Sequence, residues 1–515
     1  MNPKVPPPFL PRFLPTRLPR VCVAVVGTSP AAMIEKAETI VRDNPFIEFR
    51  LDYLTEPEKG FHKLKGFIDF HPEALLLATC RRASNGGKFR GSVAAQVDIL
   101  VKTAQLGFQL VDIELESARK LKPEDFDRIR RQAALILSFH DYEGTSNLED
   151  IFKKMQAFPA DFYKVVSTAN SLHDNVTMMK FLEAKSDRNS MVGLCMGEQG
   201  IISRILGVRA GSAFTFGAAL PGEETGPGQI TGRTLHGTYR IEQVDTATRV
   251  YGVVGDPVAH SLSPQMMNAA FRRENLNAVY LALHAKSLAD LISCVRDIPI
   301  HGLSVTLPYK EQILQHLDNT EPLTTKIGAC NTVIRAQDGK LYGFNTDVAG
   351  VVRPLENRIT LAGSRILVLG AGGAARAAVF GLKERGAEVF VLNRTPALGQ
   401  KLARQAHAKS ITRQQLKKLQ FDVIINATSS GIKGDKKPPP LTEAELKATY
   451  LFDMVYSPAE TKLVKIARAR GMQIIPGWEM LLHQGARQFE IWSGKPAPVE
   501  DMQRVVLHAL QTATV

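Results

Sequence analysis

Short apolar segments alternate with amphipathic ones through the first half of the chain. Eight segments rich in aliphatic and β-branched residues occur at 21–27, 46–53, 74–81, 110–115, 134–140, 162–169, 191–197 and 213–220. Stretches with helical periodicity, such as 31–43, 93–106 and 148–157, lie between most of them. The strands are apolar on both faces, as a buried parallel sheet requires. Eight strand–helix units in about 225 residues predict a (β/α)8 (TIM) barrel, and an open doubly wound sheet is the alternative.

The pattern changes near residue 250, where two further α/β units follow. Residues 250–355 predict a β-α-β-α-β order, with strands at 250–254, 279–282 and 302–306 and helices at 266–274 and 287–297. A second unit starts near Ser364, has further strands at 388–393 and 421–427, and is followed by helices at 477–494 and 499–512. We therefore expect domains at 20–244, at 250–355 (completed by about 487–515) and at 356–486, after a tail at 1–19.

An apolar strand at 366–369 runs directly into a glycine-rich turn and a helix. Backbone N–H groups at such a helix start, together with the helix dipole, suit a pyrophosphate. The candidate cofactor-binding residues in this turn are Gly370, Ala371, Gly372, Gly373 and Ala374. This pattern predicts a Rossmann dinucleotide-binding domain.

Length and composition fit a globular enzyme. The 515 residues suggest roughly two to four domains, and 44% hydrophobic with 22% charged residues can form a sizeable core. The five cysteines are scattered without a CxxC pair, which favours reduced thiols and a cytoplasmic location. Residues 1–19 contain seven prolines, and the first acid is Glu35. Because prolines prevent an amphipathic helix, we expect a disordered tail rather than a transit peptide.

The formal net charge of +13 raises the question of an anionic partner. The basic residues are dispersed, without the clustered stripe that nucleic-acid binding favours. Positive focusing toward small anionic substrates is the better interpretation. We therefore expect no nucleic-acid partner. Because no apolar run reaches the ~18 residues of a spanning helix, we expect no membrane partner either. No metal-ligand pattern is present, and a homodimer is compatible with the sequence.

Polar side chains gather at the carboxyl ends of the barrel strands, where such barrels place their chemistry. Lys164 lies in an apolar strand, and burial disfavours its ammonium form, as a Schiff-base amine requires. His140 is a candidate proton shuttle, with Glu114 as the residue that would orient its imidazole. Arg81 and Arg204 suit a carboxylate. A structural lysine reaching the barrel rim is the alternative for Lys164.

Residues 20–235 resemble the type I 3-dehydroquinate dehydratases. The resemblance rests on segments 47–52, 79–81 with Gly86-Gly87, 112–114, 138–142, 163–165, 196–197 with 203–204, and 227–229. It implies an imine between Lys164 and a substrate ketone, with His140 abstracting the α-proton and assisting loss of water. The implied substrate-binding residues are Glu48, Arg50, Arg81, Glu114, Arg204, Thr225 and Gln229. Thr225-Gly226 departs from the Ser-Ala that bacterial members usually carry.

The second half offers its own catalytic set. Lys310 and Asp347 form a candidate pair that would protonate the alkoxide produced when a carbonyl is reduced, although a plain surface ion pair is the alternative. Ser261 and Ser263 are two residues apart, so an extended segment would point their hydroxyls the same way. Thr306 ends a predicted strand, and Asn331 supplies an amide.

The strand after the glycine turn ends in Asn393-Arg394-Thr395. An NAD enzyme usually has an acid about 20 residues beyond the glycines to bind the ribose hydroxyls. The neutral and cationic groups here suit a 2′-phosphate instead. We therefore predict NADP as the cofactor.

Residues 251 to the C-terminus resemble the shikimate dehydrogenases. The motifs are HSLSP (260–264), VTLPYK (305–310), 331–332, 345–347, GAGGAARA (370–377), NRT (393–395), 426–429, 453–456 and Gln484. The resemblance implies substrate binding by Ser261, Ser263, Thr306, Asn331, Tyr456 and Gln484, catalysis by Lys310 and Asp347, and cofactor binding that includes Thr428.

Together the two resemblances imply a bifunctional enzyme. It would dehydrate 3-dehydroquinate through a Schiff base and then reduce 3-dehydroshikimate to shikimate with NADPH, two consecutive steps of aromatic amino acid biosynthesis. Three alternatives stay open: a quinate/shikimate dehydrogenase fusion preferring NAD, a non-catalytic metabolite sensor, and a basic nucleic-acid-binding protein. Lys164, His140, Lys310 and Asp347 are all present, which disfavours a sensor.

Overall fold

The structure is a computed structural model that describes residues 14–187, 190–258, 261–298, 300–432, 434–435, 437–458 and 460–512. The described chain forms two compact units. The first contains the described residues up to Thr248 together with Leu283–Ile298. The second contains the described residues of Arg249–Ala282 and Pro299–Val515.

The first unit is built on eight parallel strands. They are β1 (Val21–Val25), β2 (Phe46–Arg50), β3 (Leu75–Thr79), β4 (Leu110–Glu114), β5 (Ala134–His140), β6 (Phe162–Thr168), β7 (Met191–Met196) and β8 (Thr215–Ala218). Their order in the sheet is β7-β6-β5-β4-β3-β2-β1-β8, and β1 pairs in parallel with both β2 and β8. The backbone N–H of Ala213, just before β8, donates to the carbonyl of Met191 in β7. The predicted barrel is confirmed, with all eight strands at the predicted places.

Helices connect these strands. They are α1 (Pro30–Ile40), α2 (Phe61–Phe70), α3 (Val93–Leu106), α4 (Leu115–Ala118), α5 (Pro123–Arg130), α6 (Leu148–Met155), α7 (His173–Lys185), α8 (Ile201–Leu206) and α9 (Gly232–Gly237). Side-chain caps fix several starts. The Ser92 hydroxyl accepts from the N–H of Ala95 at α3, and the Thr231 hydroxyl accepts from the N–H of Thr234 at α9.

The core of the barrel includes Cys22, Phe46, Phe162 and Phe214. Of the tail predicted at 1–19, residues 1–13 lie outside the described residues. Leu14 and Leu18 pack against the barrel core. The last residues of the predicted tail therefore contact folded structure.

The second unit contains two six-stranded sheets. The first sheet holds β9 (Arg249–Gly255), β10 (Ala278–His284), β11 (Ile300–Val305), β12 (Asn319–Thr320), β13 (Thr332–Arg335) and β14 (Leu341–Phe344). Its order is β10-β9-β11-β13-β14-β12. β9 and β11 are parallel, whereas β13 is antiparallel to both β11 and β14. The β-α-β-α-β order was predicted, and strands β12 to β14 were not.

Four helices accompany this sheet in sequence: α10 (Ser263–Arg273), α11 (Leu288–Asp297), α12 (Pro322–Ile327) and α13 (Asp347–Glu356). Of these, α11 belongs to the first unit. The core beside the sheet is completed from the far end of the chain, because Phe489, Trp492 and Val506 pack in one cluster with Tyr251 and Met266.

The second sheet is parallel and has the order of a dinucleotide-binding fold. It holds β15 (Arg365–Leu369), β16 (Glu388–Leu392), β17 (Lys409–Ser410), β18 (Phe421–Asn426), β19 (Ala448–Asp453) and β20 (Gln473–Pro476). The order β17-β16-β15-β18-β19-β20 reverses direction between β15 and β18. Such a reversal opens a crevice at the carboxyl ends of those strands, where ligands bind. The helices are α14 (Gly373–Glu384), α15 (Pro396–Gln405), α16 (Arg413–Leu416), α17 (Lys462–Ala469), α18 (Gly477–Ser493) and α19 (Val499–Thr512).

Among the described residues, no helix combines the length and apolar character needed to cross a membrane.

Candidate active sites

Lys164 projects from β6 into the interior of the barrel, with only 4% of its surface exposed. Its Nζ lies 3.1 Å from Oδ2 of Asp112 on β4. The same nitrogen sits 3.8 Å from the centre of the Phe216 ring, in cation–π range. The amine therefore lies in a largely dry environment between one carboxylate and one aromatic face.

Asp112 is the centre of the buried network, although no individual role was predicted for it. Its Oδ1 accepts from Arg81 Nη2 at 2.8 Å and from the Ser138 hydroxyl at 2.7 Å. Burial alone would raise the pKa of Asp112, but Arg81, Lys164 and the Ser138 hydroxyl hold it below its usual range. One carboxylate thus compensates two buried cations.

His140 ends β5 and lines the same cavity. Arg81 Nη1 donates to His140 Nδ1 at 2.9 Å, so the proton of the neutral ring lies on Nε2. Burial, followed by the charges of Arg81, Lys164 and Arg50, lowers the pKa of His140 well below 6.5. The ring is therefore neutral at pH 7.

The structure does not place Glu114 beside His140, contrary to the role expected from the sequence. Its carboxylate accepts from Gln96 Nε2 at 2.8 Å and from the N–H of Arg82 at 3.2 Å. Glu114 is the last residue of β4, where the chain turns outward into α4. The carboxylate therefore faces α3, and Arg81 is the residue that orients the imidazole.

Arg204 differs from Arg81 because it contacts no carboxylate among the described residues. It is buried, and its Nη2 donates to the carbonyl of Pro227 at 2.9 Å. Its Nε has no hydrogen-bond partner in the described structure, and burial lowers its pKa to about 10. A buried guanidinium with unused donors is suited to an incoming anion.

Thr225 and Gln229 come from the segment after β8. Gln229 Oε1 accepts from the backbone N–H of Thr225 at 2.7 Å and from its hydroxyl at 3.2 Å. Both residues line the cavity together with Lys164, His140 and Arg204. These predicted residues are therefore brought together in one mouth.

Glu48 and Arg50, both on β2, also line the cavity. Glu48 accepts from the Thr79 hydroxyl at 2.6 Å. Arg50 makes two 2.9 Å hydrogen bonds to Asp52. Asp52 and Thr79 are thus supporting residues that the sequence argument did not assign.

The second predicted catalytic pair is in contact. Lys310 Nζ lies 2.5 Å from Asp347 Oδ2, and both side chains are largely buried. Asp347 is the first residue of α13, where the helix dipole favours a negative charge. The other oxygen, Oδ1, accepts from Asn331 Nδ2 at 2.8 Å. The lysine is therefore held by a carboxylate that is itself fixed.

Asn331 organises the surrounding polar groups. Its Oδ1 accepts from the N–H of Thr346 at 2.7 Å, and its Nδ2 lies 3.4 Å from Gln484 Oε1. The Gln484 amide in turn donates to the carbonyl of Leu481 on α18. Three predicted residues (Asn331, Asp347 and Gln484) thus form one connected set with Lys310.

The predicted hydroxyls lie at the ends of elements in the first sheet's domain. Ser263 begins α10, and its N–H donates to the Ser261 hydroxyl at 3.3 Å. Thr306 follows β11, and its N–H donates to the carbonyl of Val254 in β9. His260 of the HSLSP motif lies outside the described residues.

A buried chain of hydrogen bonds supports this region and was not predicted. The Tyr280 hydroxyl donates to Ser304 Oγ at 2.5 Å, and Ser304 donates to Gln488 Oε1 at 2.7 Å. Gln488 Nε2 then reaches the carbonyl of Asn331 at 3.2 Å. Tyr456 packs against the neighbouring core, and burial raises its pKa.

The glycine turn lies close to the second catalytic lysine. A Cβ at Gly373 would be 3.3 Å from Lys310 Cδ, so a larger side chain would fill the space beside the lysine. Gly370 has φ +114°, and a Cβ there would lie 3.0 Å from the carbonyl oxygen of Ala427. Helix α14 begins at Gly373. The turn therefore has the shape of a dinucleotide-binding turn, and its helix begins beside Lys310.

Residues at the end of β16 and after β18 border the same crevice. Asn393 Nδ2 donates to the carbonyl of Thr395 at 2.9 Å, whereas Arg394 is exposed. The Thr428 hydroxyl donates to Asn426 Oδ1 at 2.7 Å, next to Gly370. No acidic side chain stands in the Asn393–Thr395 segment.

An eight-stranded barrel with a buried lysine, followed by a dinucleotide-binding module with a lysine–aspartate pair, defines a two-module enzyme. Residues 21–246 match the type I 3-dehydroquinase family. Residues 253–333 match the shikimate dehydrogenase substrate binding domain, 355–437 the shikimate/quinate 5-dehydrogenase family, and 477–507 the shikimate 5′-dehydrogenase C-terminal domain.

One relative matches most of the chain, and others match about half of it. The bifunctional 3-dehydroquinate dehydratase/shikimate dehydrogenase, chloroplastic, of Arabidopsis thaliana is 33% identical over 505 residues, which cover 93% of this chain and 83% of that protein. The chain therefore belongs to the family of bifunctional 3-dehydroquinate dehydratase/shikimate dehydrogenases, as predicted. A shikimate dehydrogenase (NADP(+)) of Methanosarcina acetivorans is 40% identical over 278 residues, covering 51% of this chain and 99% of that protein.

A solved structure is also similar to the second half. It is the shikimate 5-dehydrogenase of Thermus thermophilus in complex with NADP(H) and shikimate, which is 36% identical with a TM-score of 0.48. The match covers 51% of this chain and 100% of the Thermus chain.

Proposed function

We propose that this chain dehydrates 3-dehydroquinate in its barrel and reduces 3-dehydroshikimate to shikimate, with NADPH, in its second module. As a member of this bifunctional family, the chain is both a lyase and an NADP-dependent oxidoreductase. The assignment of individual residues rests on one observation above all. The Lys164 amine, the neutral His140 and the unpaired donors of Arg204 face a single cavity.

In the barrel, Lys164 Nζ attacks the substrate ketone, and loss of water gives an imine. Its conjugation acidifies the neighbouring carbon, from which His140 removes a proton. The same proton then leaves with the departing hydroxyl as water, and hydrolysis of the imine frees the lysine. Arg204 binds the substrate carboxylate.

The contact between Arg81 and His140 affects the proton abstraction by His140. Because Arg81 donates to Nδ1, the neutral ring carries its proton on Nε2 and is unable to accept another there. We propose that the substrate carboxylate draws Arg81 Nη1 away from His140. The ring then adopts the other tautomer, and its Nε2 becomes the base.

In the second module, NADPH supplies the hydride when bound. Lys310 donates a proton to the oxygen of the reduced carbonyl, and Asp347 holds the ammonium in place. Asn331, Gln484, Ser261, Ser263, Thr306 and Tyr456 are the proposed substrate contacts. Arg394 is the proposed partner of the 2′-phosphate, while the turn at 370–374, together with Asn393, Thr395 and Thr428, holds the rest of the dinucleotide.

The proposed domains are 20–244, 250–355 with about 487–515, and 356–486. The proposed location is cytoplasmic, with small molecules as the only partners apart from a second copy in a homodimer. The name of the Arabidopsis relative places that protein in the chloroplast. Fractionation of the native cells with compartment markers tests the location.

Two experiments separate the two halves. Borohydride treatment with 3-dehydroquinate should add the reduced substrate to Lys164, detected by peptide mass spectrometry, whereas Lys180→Ala on the barrel surface should leave the adduct unchanged. An active enzyme that forms no adduct under borohydride treatment with 3-dehydroquinate would refute the imine mechanism. Lys310→Ala should abolish most NADPH oxidation and spare dehydration, with the exposed Lys326→Ala as control. Retained reduction would refute Lys310 as proton donor.

A further inference from the structure

Tyr142 lies over the barrel cavity and has no role in the mechanism above. Its ring stacks on His140, with ring centres 6.2 Å apart and planes at 21°. Its hydroxyl donates to the carbonyl of Asn85 at 3.2 Å. The side chain thus reaches from the end of β5 across the mouth to the loop after β3, and it lines the cavity beside Lys164.

Both ends of this bridge are fixed by backbone hydrogen bonds. On the β5 side, Asp141 Oδ1 accepts from the N–H groups of Glu143 at 2.8 Å and Gly144 at 3.1 Å. Also, the N–H of Asp141 donates to the carbonyl of Val166 in β6. Tyr142 is therefore presented from a braced turn.

On the β3 side, the Gly87 N–H donates to the carbonyl of Arg82, and the Lys88 N–H donates to Asp52 Oδ2 at 3.1 Å. Gly86 has φ +77°, and a Cβ there would lie 1.9 Å from the Tyr142 hydroxyl oxygen. A glycine is thus required at the point where the tyrosine lands. The turn is shaped to receive this hydroxyl.

We propose that Tyr142 is a positioning residue for the dehydration, which holds the His140 ring by stacking against it and keeps water from that face. This inference rests on the proposed function of the barrel. The charged groups facing His140 are Arg81, which follows β3, Arg50 from β2 and Lys164 from β6, and Asp112 of β4 contacts two of them. No carboxylate in the described structure bonds the imidazole, so its orientation depends on the hydrogen bond from Arg81 and on the stacked Tyr142 ring.

The test compares Tyr142→Phe, Tyr142→Ala and a matched control. Tyr163→Phe is the control, because its hydroxyl also donates to a backbone carbonyl (Phe158, 3.3 Å) but does not line the cavity. Tyr142→Phe, which keeps the ring, should lower kcat about threefold to fivefold with KM within about twofold, the effect of one lost hydrogen bond. Tyr142→Ala should lower kcat at least about 30-fold, as expected for a misplaced base.

The pH profile distinguishes positioning from general loss of structure. In Tyr142→Ala, water reaches the His140 ring, so the acid limb of kcat should move up by about one pH unit. It should stay in place in Tyr142→Phe and Tyr163→Phe. Shikimate oxidation by the same chain, which uses the other unit, should be unchanged in all three variants.

Several results would overturn the proposal. The first is a Tyr142→Ala variant with the wild-type kcat and an unchanged acid limb. The second is a Tyr142→Ala variant in which only KM rises, because Tyr142 would then be a substrate contact. If Tyr142→Ala loses both activities, Tyr142→Phe decides, and an unchanged kcat there rejects the role. A wild-type chain without dehydratase activity would instead reject the proposed function.

Discussion

Replacing Asp112 with asparagine tests the buried charge network of the barrel most directly. The carboxylate compensates two cations, Arg81 at 2.8 Å and Lys164 at 3.1 Å, and all three side chains are buried. Asparagine has nearly the same shape, so the change removes the charge with little loss of packing. It leaves two positive groups facing each other without a counter-ion.

Breaking a buried ion pair from one side costs about 3–5 kcal/mol. With a urea dependence of roughly 2–3 kcal/mol per molar for a domain of this size, the midpoint should fall by about 1–2 M. Asp98→Asn is the matched control, because Asp98 pairs with Arg128 at 2.9 Å with both side chains about half exposed. That change should stay within about 0.5 kcal/mol.

The chain allows the two units to be followed separately. Its two tryptophans, Trp478 and Trp492, both lie in the second unit, so fluorescence reports that unit only. Loss of dehydratase activity after incubation in urea reports the barrel. In Asp112→Asn the activity midpoint should fall while the fluorescence midpoint stays. An unchanged activity midpoint at pH 7 would show that Asp112 does not compensate the two cations.

The same substitution carries a pH signature. The folded-state pKa of Asp112 is depressed, so its contribution to stability is present above the unfolded value of about 3.9 and is lost as pH falls through the folded pKa. The difference between wild type and Asp112→Asn should therefore shrink toward acid pH. A difference that grows on acidification would contradict the assigned direction.

Three further measurements follow from the two sites. The pKa of His140 is depressed, so its imidazole in the free enzyme becomes protonated only at a pH below 6.5. The acid limb of kcat/KM for dehydration should therefore lie below pH 6.5. An acid limb above about pH 7 would contradict this prediction. Arg394→Ser should raise the KM for NADPH about tenfold and leave the KM for NADH unchanged. The control Arg404→Ser should change neither KM. Equal effects of Arg394→Ser on both cofactors would exclude a contact between Arg394 and the 2′-phosphate. Lys36 pairs with Glu223 in the segment after β8 and donates to the carbonyl of Val26 at 2.9 Å. Lys36→Met should therefore raise the KM for 3-dehydroquinate up to about fivefold. An unchanged KM would show that this ion pair does not fix the position of the segment.

The barrel was predictable because its strands are buried on both faces and bounded by helices of regular length. Lys164 could be predicted as a site residue because burying an amine in an apolar strand costs free energy, and a function explains why the amine is there. The partners were less accessible. Asp112 and Glu114 lie two residues apart in one strand, and only the contact with Gln96 on α3 shows that the Glu114 carboxylate does not face His140.

In the second unit, the glycine turn and the Lys310–Asp347 pair could be predicted from sequence. The β13–β14 hairpin could not, because each strand has four residues of mixed polarity and gives no clear periodicity. The chain Tyr280–Ser304–Gln488 joins three elements far apart in sequence. Such contacts depend on the packing of α18 against the first sheet, which local patterns do not encode.

Each half of the chain contains a lysine beside an aspartate, but the two aspartates have different surroundings. Asp112 is shared between Lys164 and Arg81, so a single carboxylate contacts two buried cations. Asp347 has Lys310 as its only cation among the described contacts, and its second oxygen receives an uncharged amide. That contact joins one cation to one carboxylate. The number of cations that each carboxylate contacts, rather than the lysine itself, distinguishes the two sites.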